Sequence, residues 1–343
     1  MRKQHNWIDV MEIRINRPLA FSEIGRKDNQ EDFTYPLIGN LSESDRLFVL
    51  CDGMGGHESG EVASQTVCEA IGSYFKHNER AEGISVKDYF SAALDYAYDC
   101  IDEKDTGGER KMGTTMTCVC FHSSGVLVAH IGDSRIYQIR PSLYDSKSGR
   151  LGIVYQSEDH SLVNDLLKIG EITPEEAENF PRKNVITRAI QPNQERRAKA
   201  DVYSFDDVKA GDYFFMCSDG VLEQLTNVRL AEILANAGFS DSEKISHIKA
   251  VCDGRTKDNY TCILIPVTEV QEANRQEPDI DSDTIEAVAE TENLVCCHRA
   301  KHVRYIWVIL IAVLLASLSY IGYVKFVQDK DAPSPIEETI PGL

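Results

Sequence analysis

Acidic side chains recur where apolar runs stop. The run ending at Cys51 continues into Asp52-Gly53-Met54-Gly55-Gly56-His57, and the one ending at Ile131 into Gly132-Asp133-Ser134-Arg135. The run ending at Cys217 continues into Ser218-Asp219-Gly220, while Lys257-Asp258-Asn259 precedes a last apolar run and Glu31-Asp32 follows Gly25. A single aspartate after a strand caps a turn. Several that converge make an oxygen cage for hard cations, and a neighbouring glycine lets the backbone come close and add its carbonyl. Ligation by carboxylate, carbonyl and water selects magnesium or manganese over zinc. Two such ions about 4 Å apart hold a hydroxide and clamp a phosphoryl group.

The elements that must position these acids are short apolar runs alternating with longer amphipathic ones. Residues 47–51, 116–121, 126–131, 213–217 and 261–265 read as strands. In 61–75, Ala63, Val67, Ala70, Ile71 and Tyr74 recur on one helical face, and 86–103 behaves similarly. Strands and helices come in groups, which favours segregated α+β layers over βαβ winding. No internal repeat is present. Residues 161–184 are polar and helix-forming around a Pro174-Glu175-Glu176 start, and they interrupt the strands as a surface flap.

Eight motifs follow one another in order: R-K-D-N-Q-E-D, D-G-M-G-G-H-x-x-G-E-x-A-S, G-T-T, G-D-S-R-x-Y, D-H-S-L, I-T-R-A, S-D-G-V and D-N-Y-T. Each is weak alone. Together, over residues 12–267, they resemble the PPM-type, protein phosphatase 2C-like metal-dependent serine/threonine phosphatases in their bacterial branch. The resemblance implies an αββα four-layer sandwich with two central antiparallel sheets and two or three divalent cations, manganese or magnesium, at one edge. Asp52 would bridge two ions and the Gly53 carbonyl would bind one of them. Asp219 and Asp258 would complete the site, Glu31 and Asp32 would hold metal-bound waters, and Asp133 with Asp219 would bind a third ion. The implied reaction is in-line attack of a metal-bridging hydroxide on the phosphorus of phosphoserine or phosphothreonine, with Asp52, Asp219 and Asp258 as the catalytic acids.

This chain departs from the family pattern in three places. The phosphate-holding arginine of the family lies five residues before the aspartate of the E-D pair, which lands on Lys27 with Arg26 beside it. A guanidinium grips two phosphate oxygens and an ammonium is a point charge, so either Arg26 or Lys27 is expected to hold the phosphate. Met54 stands where the eukaryotic branch has a histidine proposed as general acid, and a thioether donates no proton. His57, close by, reads as a structural residue at the start of a helix. Gln191 replaces the usual glycine after Ile186-Thr187-Arg188-Ala189-Ile190, a local variation of the turn.

The chain of 343 residues carries 55 acids against 36 bases, a formal charge of −19, which excludes a broad basic face for nucleic acid. Of its ten cysteines none forms a CxxC pair, and most lie in apolar or helical stretches as reduced, core thiols. Cys296-Cys297-His298 with His302 reads as a juxtamembrane coincidence. Residues 1–17 are charged throughout and do not read as a secretory signal. The run 305–324, YIWVILIAVLLASLSYIGYV, is uncharged with aromatics near both ends and is expected to span a membrane as a helix. Residues 268–293 hold nine acids and one base and read as a solvated tether, with 268–300 as acidic linker and basic juxtamembrane segment and 325–343 as a short tail. Asp279, Asp281, Asp283 and Glu290 match a calcium-loop spacing, but Thr284 stands where the turn needs glycine. The expectation is therefore a single-pass protein of the bacterial cytoplasmic membrane whose catalytic domain faces the cytoplasm and opposes a Ser/Thr kinase on phosphorylated proteins. The alternative is a catalytically degenerate scaffold of the same fold. A nucleotide cradle at 53–56 is disfavoured because no Lys-Ser/Thr follows the glycines.

Overall fold

The computed structural model describes residues 11–55, 59–105, 107, 112–178, 180 and 185–272. The chain opens with β1 (Met11–Ile15), β2 (Leu19–Glu23), β3 (Asp32–Tyr35) and β4 (Leu47–Met54), followed by helices α1 (Ser59–His77) and α2 (Val86–Lys104). Next come β5 (Gly113–Thr114), β6 (Met116–His122), β7 (Gly125–Ile131), β8 (Arg135–Ile139) and β9 (Ile153–Gln156). Two short helices, α3 (Leu162–Lys168) and α4 (Pro174–Glu178), precede β10 (Asp201–Phe205) and β11 (Tyr213–Cys217). Helices α5 (Asp219–Leu222), α6 (Asn227–Ala235) and α7 (Asp241–Cys252) lead to the last strand, β12 (Tyr260–Glu272).

The strands form two antiparallel sheets, one ordered β1-β12-β11-β8-β9 with β2 also on β12, the other β10-β7-β6-β4-β3 with β5 on β4. The two faces of each inner strand enter different cores. On β4, Leu47, Val49 and Cys51 pack against α1 and α2, whereas Phe48 and Leu50 pack against the other sheet. On β11, Phe214 and Met216 join that intersheet core, and Tyr213, Phe215 and Cys217 pack on α5, α6 and α7. The result is four layers, helix–sheet–sheet–helix, an α+β sandwich. Burial on both faces is why these strands read as unbroken apolar runs instead of alternating ones. Cys118 and Cys120 share the helix-facing core, and all eight described cysteines are free.

Residues 161–178 form the two flap helices. Ser161 caps α3, and Thr173 and Glu176 cap α4 reciprocally at 2.8 and 3.2 Å. The sheet runs further than the sequence suggests. Residues 268–272, assigned above to the tether, continue β12 and pair with β1, with Ile13 opposite Val270 and Arg14 ion-paired to Glu269 at 3.2 Å. With Val270 its only apolar residue among polar and acidic ones, the extension reads as linker in sequence. The remainder of the tether, the calcium-like spacing, Cys296 to His302, the run 305–324, the tail and His57 lie outside the described residues. Among the described residues, no helix is long and apolar enough to cross a membrane.

Candidate active site

Pairing of β3 with β4 sets Asp32 directly opposite Asp52. The backbone around Asp52 is clamped from the G-T-T turn. Its N–H donates to Thr115 Oγ1 at 3.0 Å, and its carbonyl accepts from Thr115 N–H and Thr114 Oγ1, each at 2.9 Å. Gly53 N–H donates to the Glu31 carbonyl at 3.0 Å, and a side chain at Gly53 would sit 2.2 Å from the Gly60 carbonyl oxygen. A Cβ at Gly60, in the first turn of α1, would meet Glu31 Oε1 at 2.5 Å. The Glu31 carboxylate thus lies against the N-terminus of α1, where the helix dipole favours negative charge.

Two residues quoted above only as members of motifs hold the site together. Ser218 Oγ donates to Asp32 Oδ2 at 2.8 Å and accepts from Thr261 N–H at 3.0 Å, tying β3, β11 and β12 at one point. Asn259 accepts the Glu31 N–H at 2.8 Å and donates to the carbonyls of Ile24 and Asn29, each at 2.9 Å. The signal for both was a polar residue beside an acid at a strand end, a position apolar periodicity does not score. Two glycines admit this packing. A Cβ at Gly25, whose φ is +65°, would lie 2.0 Å from the Asp258 carbonyl oxygen, and one at Gly220 would lie 2.0 Å from that of Asn259.

Burial raises the pKa of these acids together. Asp32 is pushed up to about 7 by burial and by the charges of Asp219 and Asp258, and Asp133 to about 7 by burial, Asp219 and Asp159. Asp219 reaches about 6 through burial and Asp258. Asp52 is raised well above the usual carboxylate range by burial and by Asp32, Asp219, Asp133 and Asp258. One oxygen each of Asp32, Asp133 and Asp219 is buried without a hydrogen-bond partner. Buried carboxylate oxygens left unpaired are unstable unless a cation supplies the missing interaction, and an all-oxygen donor set suits magnesium or manganese.

The structure separates the two cationic candidates. Lys27 Nζ lies 2.8 Å from Asp258 Oδ1. Burial opposes its charge, but Asp258, Glu31 and Asp52 outweigh this and raise its pKa. Arg26 turns away and donates to the Gly254 carbonyl at 3.0 Å. Met54 ends β4 and lines a groove whose far wall is the segment 186–201. The buried Ile190, within that segment, exchanges backbone hydrogen bonds of 2.9 Å with Thr114.

His130, His160 and Asp201 bring three ligand atoms within 4.8 Å of one another beside this groove. The imidazoles are stacked, 4.6 Å between centroids and 14° between planes, so their in-plane lone pairs do not meet at one point. Gly132 N–H donates to His160 Nδ1 at 3.1 Å, which puts the ring proton on Nε2, 3.3 Å from Asp201 Oδ2. Burial, His130 and Arg188 lower the His160 pKa to about 4, keeping it neutral. Arg188 Nη1 donates to the other oxygen of Asp201 at 2.9 Å. Asp201 thus holds Arg188 on one oxygen and His160 on the other, while His130 stacks behind His160 with its Nε2 on the Glu158 carbonyl.

Residues 22–250 match the family described as Protein phosphatase 2C. The chain is 28% identical over 250 residues to the protein phosphatase PhpP of Streptococcus pneumoniae, covering 72% of this chain and 96% of that one. It superposes with a TM-score of 0.60 and 28% identity on the crystal structure of the Mycobacterium tuberculosis serine/threonine phosphatase PstP/Ppp, over 75% of this chain and all of the other. A second solved structure, the PstP catalytic domain in complex with two manganese ions, gives 0.58 and 29%, again over 75% of this chain and all of the other. In fold, motif order and family match, the chain belongs to the protein phosphatase 2C family of serine/threonine protein phosphatases.

Proposed function

We propose that the protein hydrolyses phosphoserine and phosphothreonine on proteins, using two or three manganese or magnesium ions. The observation that carries this reading is the set of buried carboxylate oxygens on Asp32, Asp133 and Asp219 without partners, gathered where Asp32 faces Asp52. Asp52, the Gly53 carbonyl, Asp219 and Asp258 would hold the two central ions. Glu31 and Asp32 would orient water around them, and Asp133 with Asp219 would hold a third. When bound, the ions supply an activated water for attack on phosphorus and offset charge on the phosphoryl oxygens. The chain fixes these carboxylates before substrate arrives, through Ser218, Asn259 and the G-T-T turn, so little reorganisation remains for the reaction. Lys27, with its ammonium on Asp258, is the residue we assign to the phosphate, and Arg26 is left a structural role. Met54 cannot protonate the leaving group, so water does so.

We also propose that the run 305–324 anchors the domain to the bacterial cytoplasmic membrane through the acidic segment 273–300, with the catalytic domain on the cytoplasmic side. This rests on its twenty uncharged residues, flanking aromatics and the nearby Arg299, Lys301 and Arg304. There it would act against a Ser/Thr kinase on shared phosphoproteins. Manganese-dependent release of phosphate from a phosphothreonine peptide, abolished in Asp219→Asn, is the expected outcome. Metal-saturated wild type without activity would instead support the scaffold reading. Fractionation of the full chain with membranes, and its loss on deleting 305–324, tests the anchor.

A further inference from the structure

The groove beside Met54 has a volume of about 740 Å3 and opens two residues along β4 from Asp52. Its walls carry Arg188, Arg196 and Lys199 against one acid, Asp201, in a chain whose formal charge is −19. That acid is already engaged by Arg188 at 2.9 Å and by the neutral His160. Arg196 and Lys199 are exposed and have no ion-pair partner among the described residues.

The segment bearing these cations is held from behind by α2. Asn193 N–H donates to Asp102 at 2.7 Å and its side-chain amide to Asp105 at 2.8 Å. Arg197 bridges Asp99 and Asp102 at 2.6 and 2.9 Å, and the buried Tyr98 hydroxyl donates to the Ala198 carbonyl at 2.9 Å. Arg197 therefore spends its charge on α2, while Arg196 and Lys199 face the groove. The backbone under the two free cations is already ordered, so a bound anion loses less freedom in gathering them. The anion-compatible surface adjoins the acidic cluster, where a phosphorylated side chain would react.

Resting on the phosphatase reading above, we propose that this groove is a specificity subsite. It takes a carboxylate side chain of the substrate protein near in sequence to the phosphorylated residue. Arg196 and Lys199 are its contacts, and Arg188, held by Asp201, closes its inner end.

The test compares kcat/KM with manganese for a phosphothreonine peptide with neutral flanks and for a series carrying one glutamate at successive positions on either side. In the wild type, glutamate at one or more positions raises kcat/KM about fivefold to tenfold, the effect of one or two partly exposed ion pairs. In the exposed double variant Arg196→Glu/Lys199→Glu that ratio falls to one or below, and lysine at the same peptide position becomes favourable. A flat series in the wild type, or a ratio unchanged in the variant, overturns the subsite. Failure of the wild type on every peptide, the neutral one included, sinks the phosphatase reading itself and the subsite with it.

Discussion

Ser218 Oγ and Asp32 Oδ2 meet at 2.8 Å across 186 residues of chain, joining the two sheets at the edge where the acids gather. Ser218→Ala removes a donor from this buried carboxylate and leaves Thr261 N–H without its Ser218 acceptor. Thermal unfolding should show a loss of about 1–3 kcal/mol, and manganese titration of the same variant should show weaker binding. Unchanged unfolding and titration curves would refute the clamp.

The clustered acids predict an inverted pH response of the metal-free protein. Asp32 and Asp133 titrate near 7 and Asp219 near 6 in the fold, against roughly 4 when unfolded. A carboxyl whose folded pKa is raised keeps its proton longer in the native state, so stability falls as pH rises from about 4 to about 7. Divalent cations hold the same groups ionised and reverse the trend. The melting temperature in chelator should therefore fall over that window, and the stabilisation by manganese should grow across it. A manganese effect independent of pH would contradict this.

Lys27 and Arg26 should differ sharply despite being neighbours. Lys27→Ala takes a cation from beside Asp258 and should lower kcat/KM on p-nitrophenyl phosphate about tenfold to a hundredfold. Arg26→Ala removes a contact to the Gly254 carbonyl and should change turnover less than about twofold. Equal losses in the two variants would return the assignment to an open choice.

Asn259→Ala removes three hydrogen bonds made by a buried side chain, from the Glu31 N–H and to the carbonyls of Ile24 and Asn29. Destabilisation of about 3 kcal/mol or more is expected. Gly25→Ala, with a Cβ 2.0 Å from the Asp258 carbonyl oxygen at φ +65°, should weaken manganese binding as well as stability. Calorimetric titration of Gly25→Ala with manganese decides this, and wild-type affinity would show that the loop yields without disturbing Asp258.

The inner strands were legible because both of their faces are buried, which leaves a run such as 213–217 apolar without interruption. Strand β11 matches that reading residue for residue. Edge strands were not. In β10 only partly buried and exposed residues occur, and in β12 the stretch past Val267 is polar and acidic but for Val270 and so resembles linker. At the site, residue types announced oxygen ligation, and motif order placed the acids. Spacing could not choose between Arg26 and Lys27, because the choice depends on which way a loop turns beside Asp258. Ser218 and Asn259 were invisible as clamps, since the acids they fix, Asp32 and Glu31, lie 186 and 228 residues away along the chain.

The hold of Asn259 on Ile24, Asn29 and Glu31 also sets a clock. Nearly the whole catalytic domain must be synthesised before the loop bearing Glu31 and Asp32 receives the residue that fixes it. A growing chain on the ribosome therefore lacks a finished cation site until its last strand is made, and activity begins only with a completed domain.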